Sequence, residues 1–340
     1  MGLRMNRVEF EPSGARILVT GATGLIGGGF ARRLLAAGAD VRALVRRPGS
    51  ASALRAEGMD AAQGDMTDPT SLAKAVDGCD AVAHFAGVLG DEAVPWARFM
   101  AVNVEGTRSL LNAAVDAGVR RFLYASSVWA YGFDAGPGTD ETTPPRPCGD
   151  PYCDTKLLAQ NIVLDATHRG EISAVVIQPA PVYGPDDDAW TATPLRLLRR
   201  YLLAVPGSGG MIQPLYVTDA VEGAVAALTR GESGHAYILC GARELTVRDF
   251  FGHYVAMGTR QQSLPSVPRG ALLAIAGVAQ ALGRIVPQAA VFTKTGVAGI
   301  SLPATYRGER ARRQLGFEPQ VGLVDGMAAV REWAAGEGLL

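Results

Sequence analysis

Ala15-Arg16-Ile17-Leu18-Val19-Thr20-Gly21-Ala22-Thr23-Gly24-Leu25-Ile26-Gly27 is the stretch whose reading decides the fold. Ala15–Thr20 is a short apolar run that reads as a buried strand. Glycines 21, 24 and 27 follow it, and Phe30-Ala31-Arg32-Arg33-Leu34-Leu35-Ala36-Ala37 is then apolar at helical spacing and closed by Gly38. A strand, a glycine turn and a helix in that order let the backbone approach a pyrophosphate closely, with the phosphate charge resting on the helix N-terminus. The spacing is G-x-x-G-x-x-G, not the G-x-G-x-x-G of the common dehydrogenases.

Working outward, Val41–Val45 reads as a second strand. A dinucleotide fold selective for NAD places Asp or Glu about 20 residues on, near the end of this strand, to bind the ribose 2′-hydroxyl. Here the strand ends Val45-Arg46-Arg47-Pro48 with no carboxylate. Cations in that place suit a 2′-phosphate, so the expected cofactor is NADP(H), with NAD(H) second; the alternative is that both arginines are merely solvated. Alternation continues through Ala61–Gly64, leading into Asp65-Met66-Thr67-Asp68-Pro69, and through Ala81–Phe85, followed by Ala86-Gly87. A helix across Trp96–Ala117 carries Asn103. Arg121–Ala125 then delivers Ser126 and Ser127 at a strand's carboxyl end, where open parallel sheets bind ligands. With Ala174–Ile177 as a sixth strand, the expected fold class is α/β, a doubly wound parallel Rossmann sheet with a smaller, interleaved C-terminal lobe. Its expected division is a nucleotide-binding core over 15–178, completed by about 215–240, and a substrate lobe from 179–214 and 241–340.

Tyr152-Cys153-Asp154-Thr155-Lys156 carries the chemistry. An i, i+4 pair leaves one helix face a turn apart. A phenol is a poor acid or base near neutral pH, and a neighbouring ammonium favours the phenolate. The motif alone is weak, but a nucleotide fold precedes it and a serine hydroxyl is available.

The 32 basic and 33 acidic residues nearly cancel, so no global field draws nucleic acid or an anionic membrane. Cys79, Cys148, Cys153 and Cys240 form no C-x-x-C pair and show no disulfide-like spacing, and the four histidines are scattered, so no metal site is expected. Cys153 reads as a small helix filler. The first fourteen residues lack the apolar core of a signal peptide, and Ala271–Val286, the most apolar later run, is short and carries Gln280 and Arg284. A soluble, cytoplasmic protein with no membrane span is expected.

Together, Gly21–Gly27, Gly64-Asp65, Phe85-Ala86-Gly87, Asn103, Ser126-Ser127…Tyr131-Gly132, Tyr152…Lys156, Pro179–Pro185, Tyr216–Asp219 and Leu315–Pro319 resemble the extended short-chain dehydrogenase/reductase superfamily. That group contains NAD(P)-dependent epimerases, dehydratases, 3β-hydroxysteroid-type dehydrogenases and dihydroflavonol reductases; the resemblance covers about residues 15–335. It implies that Ser127 holds the substrate oxygen, Tyr152 exchanges the proton, and Lys156 binds the nicotinamide ribose. It also implies a cofactor site at Gly21, Thr23, Gly24, Leu25, Ile26, Gly27, Arg46, Asp65, Met66, Phe85, Ala86, Gly87, Asn103, Lys156 and Pro179, and it allows a homodimer.

The departures concern substrate. Nucleotide-sugar enzymes of the group often carry Arg-Pro-x-Asn-Val-Tyr-Gly-Pro. Here Gln178 and Pro181 stand where the arginine and asparagine would be, and proline offers no N–H donor. Val88, Leu89, Trp129, Tyr183 and Trp190 suggest an apolar pocket, with Asp186-Asp187-Asp188 nearby in sequence. Ala271–Val286 is either a buried helix over the lobe or a greasy entrance, and Arg307–Arg313 reads as a solvated basic face. The expected activity is interconversion of a ketone or aldehyde and an alcohol on a small, largely apolar substrate. The rivals are a nucleotide-sugar epimerase or dehydratase that retains its cofactor, and a non-catalytic NADP sensor.

Overall fold

A computed structural model describes residues 9–89, 94–133, 135–207, 209–283 and 294–340. Its first half alternates strand and helix: β1 (Arg16–Thr20), α1 (Leu25–Ala36), β2 (Asp40–Val45), α2 (Pro48–Ala56), β3 (Asp60–Gln63), α3 (Pro69–Val76), β4 (Ala81–His84), α4 (Trp96–Phe99), α5 (Gly106–Asp116), β5 (Arg121–Ala125), α6 (Pro151–His168) and β6 (Ala174–Pro179). The second half holds short strand pairs and longer helices: β7 (Val182–Tyr183), α7 (Thr193–Arg199), β8 (Val205–Pro206), β9 (Met211–Ile212), β10 (Leu215–Tyr216), α8 (Val217–Arg230), β11 (Ala236–Leu239), β12 (Leu245–Thr246), α9 (Val247–Val255), β13 (Ser266–Val267), α10 (Arg269–Gly283), α11 (Lys294–Ile300) and α12 (Leu323–Gly336).

The central sheet has seven strands in the order β11-β6-β5-β4-β1-β2-β3, paired in parallel throughout. Strand order reverses between β1 and β4, which places a crevice at their carboxyl ends. Side chains alternate across the sheet. Ile17 and Val19 join Phe30 and Leu34 of α1 and Ala220 and Ala224 of α8 on one face. On the other, Leu18, Phe122 and Tyr124 pack with Leu72 of α3, Leu110 of α5 and Val163 of α6. Both faces being covered explains why these strands read as nearly continuous apolar runs.

The stretch expected as a single helix over Trp96–Ala117 is interrupted. Met100–Glu105 forms a π turn between α4 and α5, and such a turn re-aims side chains locally. Gly106 sits against α3's approach, where a Cβ would lie 2.8 Å from the Met66 carbonyl oxygen. The basic run is only partly solvated. Arg307, Arg312 and Arg313 are exposed, whereas Arg310 donates to the Ala236 carbonyl at 3.0 Å.

Candidate active site

The start of α6 is fixed from several directions. Asp150 caps it, accepting from the Tyr152 and Cys153 amides at 3.0 Å each, and Pro151 occupies the first turn, where no N–H is needed. Asp150 also accepts from Thr295 of α11. Asp154 closes the preceding loop by accepting from the Cys148 and Gly149 amides at 2.7 and 3.0 Å.

Ser127 follows β5 and is half-buried, its hydroxyl accepting from the Trp129 amide at 3.2 Å. Burial pushes the Tyr152 phenol up to about 12, and a hydrogen bond from the Ser127 hydroxyl opposes that rise. Lys156 is 5 % exposed; its ammonium donates to the Ala125 carbonyl at 2.7 Å and lies 5.9 Å from the centre of the Tyr152 ring. Burial lowers the lysine to about 8. The structure thus brings Ser127, Tyr152 and Lys156 together. One N–H of the ammonium goes to the Ala125 carbonyl, and desolvation is the largest influence on both the phenol and the lysine.

Asn103 projects from the π turn into the same region. Its amide donates to the Val88 carbonyl and Thr155 hydroxyl at 3.1 Å each, and its oxygen accepts from the Val88 amide at 2.7 Å. A Cβ on Gly87 would lie 3.2 Å from that oxygen and 3.6 Å from the Lys156 nitrogen. Asn103 therefore fastens the loop after β4 to α6, and Gly87 keeps the gap between them open.

The glycine turn has features that fit a dinucleotide. Gly21 adopts a positive φ of 74°, and a Cβ there would lie 2.8 Å from the Ala86 amide nitrogen. A side chain on Gly27 would strike the Gly21 carbonyl oxygen. Thr23 and Gly24 are exposed, Leu25 and Ile26 half-buried. Gly24 gives α1 no side-chain cap and its first turn holds no acid, so these N–H donors remain available to an anion. The Ser126 hydroxyl, at the end of β5, is buried and has no hydrogen-bond partner among the described residues. Arg46 and Arg47 are exposed at the end of β2. Asp65 is raised by burial but lowered more by bonds from Thr67, with Arg98 and Arg46 adding, so that it stays below the usual carboxylate range. Met66 is buried, Phe85 and Ala86 are half-buried, and Pro179 ends β6.

The predicted pocket residues separate. The Trp129 ring stands edge-on to Tyr152 at 6.0 Å and to Trp190 at 6.4 Å. Both tryptophans line a pocket with Met211, Ile300, Leu302 and Tyr306. Tyr183 is instead a core residue, stacked edge-on against Tyr216 and Phe250. Leu89 is 67 % exposed, and Val88 packs toward the α3–α5 side of the sheet. Two of the three acids near them are committed elsewhere, and Asp186 is exposed. Asp187 is buried and caps a turn through the Ala189 and Trp190 amides, and Asp188 pairs with Arg196 at 2.6 Å.

Two arrangements escaped the sequence reading. His84 is buried, pushed down to about 3 chiefly by desolvation and so neutral. It links Thr20 at 2.7 Å with Thr107 at 2.9 Å, and Thr20 accepts from the Ala86 amide at 3.1 Å. The Cys148 and Cys153 thiols hydrogen-bond beside Tyr152, which lowers the first and raises the second. Neither follows from spacing: the first depends on β1 pairing with β4 and on α5 packing over them, the second on the loop before α6.

The chain belongs to the NAD dependent epimerase/dehydratase family, whose profile matches residues 17–240. It is similar to a 4-hydroxy-2-methyl-3-oxo-4-farnesyl-3,4-dihydroquinoline-1-oxide ketoreductase of Stigmatella aurantiaca, 30% identical over 333 residues, covering 96% of this chain and 98% of that one. It is 28% identical over 333 residues to a 3 beta-hydroxysteroid dehydrogenase/Delta 5-->4-isomerase of Mycobacterium tuberculosis, covering 93% and 89%. A dTDP-glucose 4,6-dehydratase of Streptomyces venezuelae, solved with NAD bound, superposes with a TM-score of 0.78 at 25% identity, covering 96% of this chain and 100% of that one. The protein is an oxidoreductase of the extended short-chain dehydrogenase/reductase type that uses a nicotinamide adenine dinucleotide. Among the described residues no helix is long and apolar enough to cross a membrane.

Proposed function

We infer that the protein is an NADP(H)-dependent carbonyl reductase acting on a compact aromatic or alicyclic ketone, or on the corresponding alcohol in reverse. One observation carries this reading. The Ser127–Tyr152 hydroxyl pair adjoins Trp129, whose pocket is lined, among the described residues, by apolar and aromatic side chains and one amide, with no charged group. Gln213, its one amide, is already used, donating to the Gly241 carbonyl at 2.9 Å and accepting from the Tyr306 amide at 2.8 Å. A nucleoside diphosphate sugar needs cations for its phosphates, and this lining offers none.

In this reading Gly21, Thr23, Gly24, Leu25, Ile26 and Gly27 cradle the pyrophosphate, Asp65 and Met66 flank the adenine, and Phe85, Ala86, Gly87, Asn103 and Pro179 shape the remaining wall. Arg46 answers the 2′-phosphate. Residues 15–178 with 215–240 hold the nucleotide, and 179–214 with 241–340 the substrate. When bound, the nicotinamide gives or takes the hydride. Ser127 donates a hydrogen bond to the substrate oxygen and Tyr152 passes its phenolic proton to that oxygen. Lys156 holds the ribose hydroxyls. A phenol near 12 is protonated at neutral pH, which suits proton delivery and hence reduction. The same-family ketoreductase and hydroxysteroid dehydrogenase act, by their names, on a farnesylated dihydroquinoline oxide and a hydroxysteroid, which supports carbonyl–alcohol chemistry on an apolar ring substrate but not its compactness.

The test is a panel of aromatic and alicyclic ketones followed by loss of NADPH absorbance, with uridine diphosphate titrated by calorimetry. Turnover of at least one ketone with NADPH and no sub-millimolar uridine diphosphate binding are expected. Tight uridine diphosphate binding would promote the epimerase reading instead. For the cofactor, NADPH should bind more tightly than NADH, and Arg46→Asp should narrow or reverse the ratio.

A further inference from the structure

The four cysteines divide into two kinds. Cys79 donates to the Ala75 carbonyl at 3.5 Å and Cys240 to the Tyr306 carbonyl at 3.7 Å, and both are buried. Cys148 and Cys153 instead meet each other, thiol hydrogen-bonded to thiol, at the start of the helix that carries Tyr152 and Lys156.

The loop is built to bring them together. Gly149 adopts a φ of 79°, a left-handed turn that glycine makes without strain, and the chain then enters α6 through Asp150. The Asp154 carboxylate accepts from the Cys148 and Gly149 amides at 2.7 and 3.0 Å, which folds Cys148 back over the first turn of the helix. Gly132 backs it from the other side, where a Cβ would lie 3.3 Å from the Cys148 Cβ. A helix filler accounts for Cys153, which is 1 % exposed. It does not account for a second thiol held against it by a closed loop.

The two sulfurs are unequal. Cys148 is half-buried and so within reach of a small solute, whereas Cys153 is enclosed. The bond from Cys153 draws the Cys148 thiol below its ordinary value; the Asp150 amide adds to this, while burial and the Asp154 and Asp150 charges oppose it. The Cys153 thiol is raised, first by its bond to Cys148 and then by burial, so it keeps its proton. A reachable thiol favoured as the thiolate beside an enclosed protonated partner is the arrangement of an attacking and a resolving cysteine.

We propose that Cys148 and Cys153 are a redox pair that hydrogen peroxide closes to a disulfide, displacing Tyr152. In the first step the Cys148 sulfur attacks one peroxide oxygen. An S–O bond forms, the O–O bond breaks, and the departing hydroxide takes the thiol proton as water. In the second step the Cys153 sulfur attacks the sulfenic sulfur. The S–S bond forms, the S–O bond breaks, and hydroxide leaves with the Cys153 proton as a second water. Two thiols are oxidised and one peroxide is reduced to two waters. A disulfide holds its sulfurs at about 2.05 Å, well inside the separation of hydrogen-bonded thiols, so closure draws the loop and the first turn of α6 together. Tyr152 lies in that turn, next to Cys153 and edge-on to Trp129. Its displacement should lower kcat/KM for ketone reduction about tenfold or more. That loss rests on the ketone reading above; the crosslink does not.

The test treats the full chain with hydrogen peroxide, blocks remaining thiols with iodoacetamide and maps the peptides by mass. No Lys or Arg lies between the two cysteines, so trypsin leaves them in one peptide. In wild type that peptide should lose two hydrogens and resist alkylation at both cysteines until dithiothreitol is added, while Cys79 and Cys240 still alkylate. Cys148→Ser and Cys153→Ala should each abolish the link, and Cys148→Ser, at a half-buried position, should keep its ketone reduction through peroxide treatment. The proposal is overturned if both thiols still alkylate after peroxide, if Cys148 goes only to the sulfinic acid, or if the link joins two chains. Equal loss of turnover in wild type and Cys148→Ser would overturn the coupling to Tyr152, since other oxidations would then cause it. Mapping needs no turnover, so failure of the ketone panel leaves the crosslink result readable.

Discussion

Tyr152 is held as an acid. Burial keeps its phenol near 12 despite the Ser127 hydroxyl, so the proton is in place at neutral pH. Tyr152→Phe should lower ketone reduction by about 10²–10⁴-fold, while NADPH binding, followed by fluorescence, stays close to wild type. Near-normal reduction by this variant would end the assigned mechanism. Lys156 makes a separate prediction about stability. Its folded value of about 8 lies below the ordinary 10.5, so between those values the unfolded chain binds more protons and stability from this group rises with pH. Below pH 8 the buried ammonium costs the fold about 3 kcal/mol, an order-of-magnitude figure from that shift. Urea unfolding of wild type and Lys156→Met should therefore show wild type gaining on the variant between pH 8 and 10. A constant difference across that window would mean the lysine is not desolvated.

At the scale of elements, α11 controls the pocket through a missing methyl group. A Cβ on Gly299 would sit 2.5 Å from Cζ2 of Trp129, so one of the two must move. Gly299→Ala should push the indole toward the pocket and Tyr152, reducing kcat/KM for bulky ketones by about tenfold or more. NADPH affinity should stay unchanged, and Trp129→Phe in the same chain should restore part of the loss. Steady-state kinetics on the three variants decides it. Nothing in the sequence pairs these residues, which lie far apart and meet only through folding. The sheet was legible because strands buried on both faces write themselves as apolar runs bounded by glycine. The Tyr152–Lys156 pair was legible because an i, i+4 spacing puts both on one helix face, whereas Ser127 was preferred to Ser126 only through the resemblance to the family, since a long loop separates it from that helix. The π turn was not legible: its register depends on what Asn103 holds and on the space at Gly106, and the apolar periodicity runs through it without a break. Tyr183 misled for the opposite reason, since an aromatic beside a loop looks the same whether it faces a pocket or the core.

For the molecule as a whole, the later residues are laced into the sheet. Asp219, near the start of α8, is buried and accepts from the Gln320 and Val321 amides at 3.0 and 3.1 Å. Arg230, at its end, donates to the Leu315 carbonyl. Tyr216–Asp219 and Leu315–Pro319 stood out as separate motifs in the sequence, and in the fold they are two sides of one seam. Asp219→Ala should strand both amides and cost about 2–3 kcal/mol, read as a lower denaturant midpoint. The unfolding transition should remain single, because α8 packs both on the sheet and against this seam. Two separated transitions, with the C-terminal part melting first, would show that the seam does not couple the parts.

The tryptophan contacts carry an optical consequence. Of the four tryptophans in the chain, Trp129 stands 6.0 Å from the Tyr152 ring and Trp190 lies edge-on against Trp129. Two of the four indoles therefore stand at or next to the Tyr152 ring. Reduced nicotinamide absorbs where indole emits, so a dinucleotide bound beside Tyr152 quenches these two and transfers their excitation to its own blue band. Occupancy can then be followed in the native protein without a label, and replacing Trp129 with phenylalanine identifies how much of that signal it supplies.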